Sequence, residues 1–85
     1  MISVKILGTG CSKCKKLYEE AQRAVAASGV EAAIEKVEKL DDIVAYGVMM
    51  TPALVIDGEV RSSGRLPTQA QMATWFTAAA QVREG

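Results

Sequence analysis

Apolar positions change their period several times along the chain, and each change marks an element. Residues 2–7 alternate loosely between apolar and polar and stop at Gly8-Thr9-Gly10, which predicts a buried strand followed by a loop. From Cys11 to Ser28 the period becomes helical. Cys14, Leu17, Tyr18, Ala21, Val25 and Ser28 fall on one stripe, with Lys15, Lys16, Glu19, Glu20, Gln22 and Arg23 opposite. Glu19 and Arg23 are spaced for an i,i+4 pair, and Gly29 for a C-terminal stop. Residues 31–37 predict a second strand whose Glu31, Glu35 and Lys36 suit a sheet edge. Asp41 is placed to cap a short helix running through Tyr46 and closed by Gly47.

Ala53-Leu54-Val55-Ile56 is a continuous apolar strand, and Asp57-Gly58 is a dipeptide favoured in two-residue type I′ hairpins. Glu59 to Ser63 then forms a return strand polar enough for an edge. Thr68 and Gln71 form a capping box that opens a last helix with Met72, Trp75, Phe76 and Ala79 on its apolar stripe, Trp75 and Phe76 belonging to the core. The predicted order is β-α-β-α-β-β-α. A strand–helix–strand crossover is parallel and right-handed, and the hairpin adds an antiparallel pair. The α/β chain is thus expected to form a four-stranded mixed sheet flanked by helices, in one domain over residues 1–85. No internal repeat, linker or low-complexity segment interrupts it.

Composition narrows the function. Of the 85 residues 49% are hydrophobic, enough for a core. Ten basic residues cancel ten acidic ones, so the chain lacks the basic footprint of a nucleic-acid binder. No basic start leads into a long apolar run, so neither a signal peptide nor a membrane span is expected, and the expected compartment is the cytoplasm. Two cysteines are too few for a secreted disulfide framework. With no histidine, a Ser-His or Cys-His pair is excluded.

The candidate chemistry is Cys11-Ser12-Lys13-Cys14. Cys11 lies where the loop becomes helix, facing unpaired backbone N–H groups and the positive end of the helix dipole. Lys13, with Lys15 and Lys16, adds positive charge. Together these lower the thiol pKa and raise the thiolate share at neutral pH above the ~3% of an unassisted thiol. Cys14 heads the apolar stripe and should be shielded, yet close enough to close a disulfide with Cys11. One thiol then attacks and the other resolves. A soft-metal carrier of Cu(I) or zinc is the alternative, since two thiolates suffice for Cu(I). A zinc site needs about four ligands and could form only across a dimer. Heavy-metal-associated domains also place CxxC at a helix start, but carry Met where this chain has Thr9.

Three pieces in this order resemble the thioredoxin superfamily: Cys11 to Cys14 opening the first helix, Thr51-Pro52 before the third strand, and Ser63-Gly64 ahead of the last helix. In size the chain is similar to glutaredoxins, and most similar to the small bacterial and archaeal redox-active disulfide proteins. The resemblance implies a cis-proline at Pro52 facing the cysteines, substrate backbone pairing at Met50 and Thr51, and substrate space at Gly64. Met49 and Met50 are open to either a core or a rim position. The implied partners are disulfide-bearing proteins and a thioredoxin-reductase-type flavoprotein or ferredoxin-linked reductase; no cofactor is implied. The chain departs from the pattern in having Gly10 rather than Trp before Cys11, no Pro between the cysteines, and Lys5 rather than an acid in the preceding strand. Arg65-Leu66 after Gly64 disfavours a glutathione role.

Overall fold

Ile2, Val4 and Ile6 are buried on one side of β1 (Ile2–Leu7), whereas Ser3 and Lys5 on the other are only half-buried. The computed structural model describes residues 1–84. Its other elements are α1 (Ser12–Ser28), β2 (Ala32–Val37), α2 (Leu40–Ala45), β3 (Ala53–Ile56), β4 (Glu59–Ser63) and α3 (Gln69–Glu84). The strand order is β2-β1-β3-β4, so both polar strands lie at edges, as their composition predicts. β1 runs parallel to β2, with Ile2 opposite Ala32 and Leu7 opposite Val37. It runs antiparallel to β3, with Val4 opposite Ile56 and Leu7 opposite Ala53. β3 and β4 form the hairpin. Leu54 faces Ser62 and Val55 faces Val60, which leaves Arg61 as an extra residue in a bulge.

The alternation of side chains divides the core between the two faces of the sheet. On one, Ile2, Val4, Ile6, Leu54 and Ile56 pack against Leu17, Ala21 and Ala24 of α1 and Met72 and Phe76 of α3. On the other, Leu7, Ala53 and Val55 pack with Ile43 and Val48. β3 contributes to both, which explains its unbroken apolar run.

Local chemistry sets the joints. Gly29 takes the left-handed conformation, and its N–H bonds to Val25 O, ending α1. Ser28 sits on the apolar stripe because its hydroxyl donates to Ala24 O at 2.8 Å. Asp57 and Gly58 both have positive φ, 48° and 85°, as the type I′ turn requires. The Asp57 carboxylate also accepts from Ser3 N, tying the hairpin to β1. Thr68 N–H donates to Gln71 Oε1 at 3.0 Å, and Gln71 N–H to Thr68 Oγ at 3.1 Å, completing the capping box.

Four expectations are corrected. α2 starts at Leu40 and has Lys39, without a side-chain bond, at its N-cap. Asp41 lies in the first turn instead, where its charge still meets the helix dipole, and Tyr46 is the C-terminal cap. Arg23 pairs with Glu20 at 3.6 Å rather than with Glu19. Ala24 is buried although the stripe did not include it. Trp75 is half-buried at the margin of the core, since Phe76 takes the inward position on α3.

Candidate functional site

Gly10, at φ +91°, turns the chain so that Cys11 enters α1 extended, at φ −67° and ψ 166°. Cys11 is therefore the N-cap. Its Sγ accepts the backbone N–H of Cys14 at 3.2 Å, a place more often taken by a serine or aspartate oxygen. No acidic residue occupies the first turn of α1 to oppose this positive end. Cys11, Ser12 and Lys13 are exposed, while Cys14 is only 5% exposed. The two sulfurs are bonded, with Cα atoms 5.0 Å apart, so the structure is that of the oxidised protein.

Gly8 is buried under this disulfide. A Cβ there would collide with Cys14 Sγ and lie 4.0 Å from Thr51 Cβ, so the Thr51 loop flanks the cysteines. The Thr51-Pro52 bond is cis. Pro52 is buried, and its carbonyl accepts the N–H of Gly64 at 2.9 Å. Gly64, at φ +76°, has Met50 laid over it: a Cβ there would come 3.0 Å from Met50 Cβ and 3.1 Å from Met50 Cε. Met50 is 63% and Met49 96% exposed, so neither is core. Cys11, Cys14, Met50, Thr51, Pro52 and Gly64 thus share one neighbourhood. Exposed Leu40, Val44 and Met49 extend it as an apolar groove along α2.

A cavity of about 60 Å³ abuts Cys14 on the other side. Ile6, Gly8 and Gly10 form part of its wall, and the charged groups lining it are Lys15, Lys36 and Glu38. Lys13 is not among them. Sequence reasoning missed Gly8 and Glu38. Gly8 resembles any loop glycine, and Glu38 is far from the motif in sequence. Lys5 lies on the opposite face of the sheet, where Tyr46 and the carboxylates of Glu35 and Asp42 raise its pKa above the ordinary lysine value. Among the described residues, no three His, Cys, Asp or Glu side chains converge as metal ligands, and no helix is long and apolar enough to cross a membrane.

A mixed four-stranded sheet with a CxxC disulfide at the start of its first helix and a cis-proline beside it defines a thioredoxin-like thiol–disulfide oxidoreductase. Residues 2–77 match the family model of the thioredoxin domain. A thioredoxin of Methanothermobacter thermautotrophicus is 35% identical over 72 residues, covering 85% of this chain and 94% of that protein. A thioredoxin of Methanocaldococcus jannaschii is 35% identical over 68 residues, covering 80% of this chain and 78% of that protein. The chain belongs to the thioredoxin family.

Proposed function

We propose that the protein reduces disulfides of other proteins, with Cys11 as nucleophile and Cys14 as resolving thiol. The observation that carries this assignment is the contrast between the two sulfurs. Cys11 is exposed and receives a backbone N–H at the head of a helix, whereas Cys14 is nine-tenths buried. A charge-assisted N–H···S contact and the helix dipole favour the thiolate on Cys11. The Cys11 thiolate attacks one client sulfur, and the other leaves as a thiol after taking up a proton. Cys14 then attacks Cys11 Sγ, closing the enzyme disulfide and releasing the second client thiol. The backbone of Met50 and Thr51 pairs with the client chain as an added strand beside Gly64. Lys13 contributes positive charge near Cys11. A flavoprotein or ferredoxin-linked reductase returns the electrons in a reducing compartment such as the cytoplasm.

Changing Cys14 to Ser should accumulate covalent mixed disulfides with clients, whereas Cys11→Ser should trap few. In the reduced protein, iodoacetamide at neutral pH should alkylate Cys11 first, as peptide mass mapping would show. Equal alkylation of both thiols, or better trapping by Cys11→Ser, would reverse the roles. The reduced protein is also expected to carry little zinc or copper. A stoichiometric metal that survives a weak chelator would point to the carrier instead.

A further inference from the structure

We propose that Glu38 is the group through which the buried Cys14 exchanges its proton, by way of the cavity between them. This rests on the roles assigned above to the two thiols. In the mixed disulfide Cys14 must lose a proton before it can attack, yet it is 5% exposed and the chain has no histidine to take it. The groups around Cys14 come from four sides. α1 presents Lys15 to the cavity, the loop before α1 presents only Gly8 and Gly10, β2 presents Lys36, and the residue just after its end is Glu38. From the fourth side comes the uncharged Thr51. An ammonium steadies a thiolate but has no lone pair for a proton. The carboxylate of Glu38 is therefore the acceptor, with Lys15 and Lys36 holding the charge that forms.

The path has the right size. One water needs about 10–15 Å³ of such space, so a cavity of about 60 Å³ has room for a short chain of them. Two of the residues that line it are glycines. A Cβ on Gly8 would strike Cys14 Sγ, and one on Gly10 would lie 3.5 Å from Glu38 Oε2, in ordinary contact. Lys36 is held at the side, its Nζ 4.5 Å from the centre of the Tyr18 ring.

With a client sulfur bonded to Cys11, the Cys14 thiol passes its proton through water to Glu38, and the thiolate attacks Cys11 Sγ. The Cys11–client bond breaks as the Cys11–Cys14 bond forms. The client sulfur leaves with the electron pair and takes up a proton from solvent, to which Glu38 returns the one it received. Over the full turnover the client disulfide gains two electrons and two protons, and the enzyme dithiol loses them.

Rapid mixing of the reduced protein with dithiobis(nitrobenzoate) separates the two thiols, because the first thiolate released reports Cys11 and the second Cys14. In Glu38→Gln the second phase should slow about a hundredfold near neutral pH, the low end of what a proton-transfer group contributes. The loss should fade toward ~pH 9 and above, where an ordinary thiol ionises unaided. The first phase should stay within about twofold, since Glu38 shares the cavity with Cys14, Cys11 does not line it, and the charge of an exposed carboxylate is screened. Glu38→Asp should recover part of the second phase. Superimposable second-phase pH profiles for Glu38→Gln and the unsubstituted protein would overturn the inference, as would equal slowing of both phases. Absence of a first phase in the unsubstituted protein would instead remove the assignment of Cys11, and the inference with it.

Discussion

Gly8 and Gly64 both lack a side chain for reasons of space, but what fills the space differs. At Gly8 it is Cys14, so Gly8→Ala forces the disulfide and the head of α1 to shift. Overpacking of this kind costs about 1–3 kcal/mol, to be read from denaturant midpoints of the oxidised protein. At Gly64 the neighbour is the flexible Met50, but φ is +76°. Gly64→Ala should cost about 1–2 kcal/mol from backbone strain. Adding Met50→Ala removes the Cε and Sδ contacts but keeps both the Cβ contact and the strain, so a double-mutant cycle isolates what the flexible end of Met50 contributes. Lys13 is fully on the surface, and its charge acts through solvent. Lys13→Gln should slow alkylation of Cys11 by at most about threefold. What was legible in single residues was chemistry that announces itself by type: two cysteines, a proline, a glycine after a serine. The parts that escaped notice, Gly8 and Glu38, have ordinary types and matter only through what the fold sets beside them.

Among the elements, legibility followed the strength of the local signal. The capping box of α3 was readable because both partners lie three residues apart, and Thr68→Ala removes one of its two bonds. Loss of such a cap costs about 1 kcal/mol, a fall of roughly 4–8 °C in Tm for a domain of this size. α2 was readable as a helix but not at its start, because six residues give little periodicity and two adjacent aspartates compete for the cap. β4 hid a bulge and a buried hydroxyl. Ser62 Oγ is buried without a hydrogen-bond partner among the described residues, facing the side covered by α1 and α3. Removing an unsatisfied polar atom recovers its desolvation cost. Ser62→Ala should be neutral or stabilising by up to about 1 kcal/mol, measurable as an unchanged or higher Tm.

For the molecule as a whole, the element order and the edge positions of β2 and β4 could be read from the chain, since crossover handedness and the hairpin turn leave few topologies. The allocation of side chains to two separate cores could not, because it depends on which helix covers which face. Cys14 is buried but belongs to neither of the two packed clusters described above. The disulfide closes a loop between residues only three apart, for which chain entropy gives about 2 kcal/mol. The reduced protein should therefore stay folded and melt at most ~16 °C lower than the oxidised one. Parallel melts with and without reductant measure the gap, and loss of the fold on reduction would contradict it.

The central position of β1 has a consequence for how the chain could be divided. One side of β1 is satisfied by β2, whereas the other waits for β3, which lies beyond the exposed turn at Gly47 and Met49. Cut there, the first fragment would carry both cysteines and half of each core, and the second Thr51, Pro52, Gly64 and the matching halves. Each would present one unpaired strand edge that only the other complements in register. The site is thus a seam: its sulfur and its proline meet only where two otherwise incomplete pieces of sheet zip together, so turnover of a client by two mixed fragments would itself report that they had found one another.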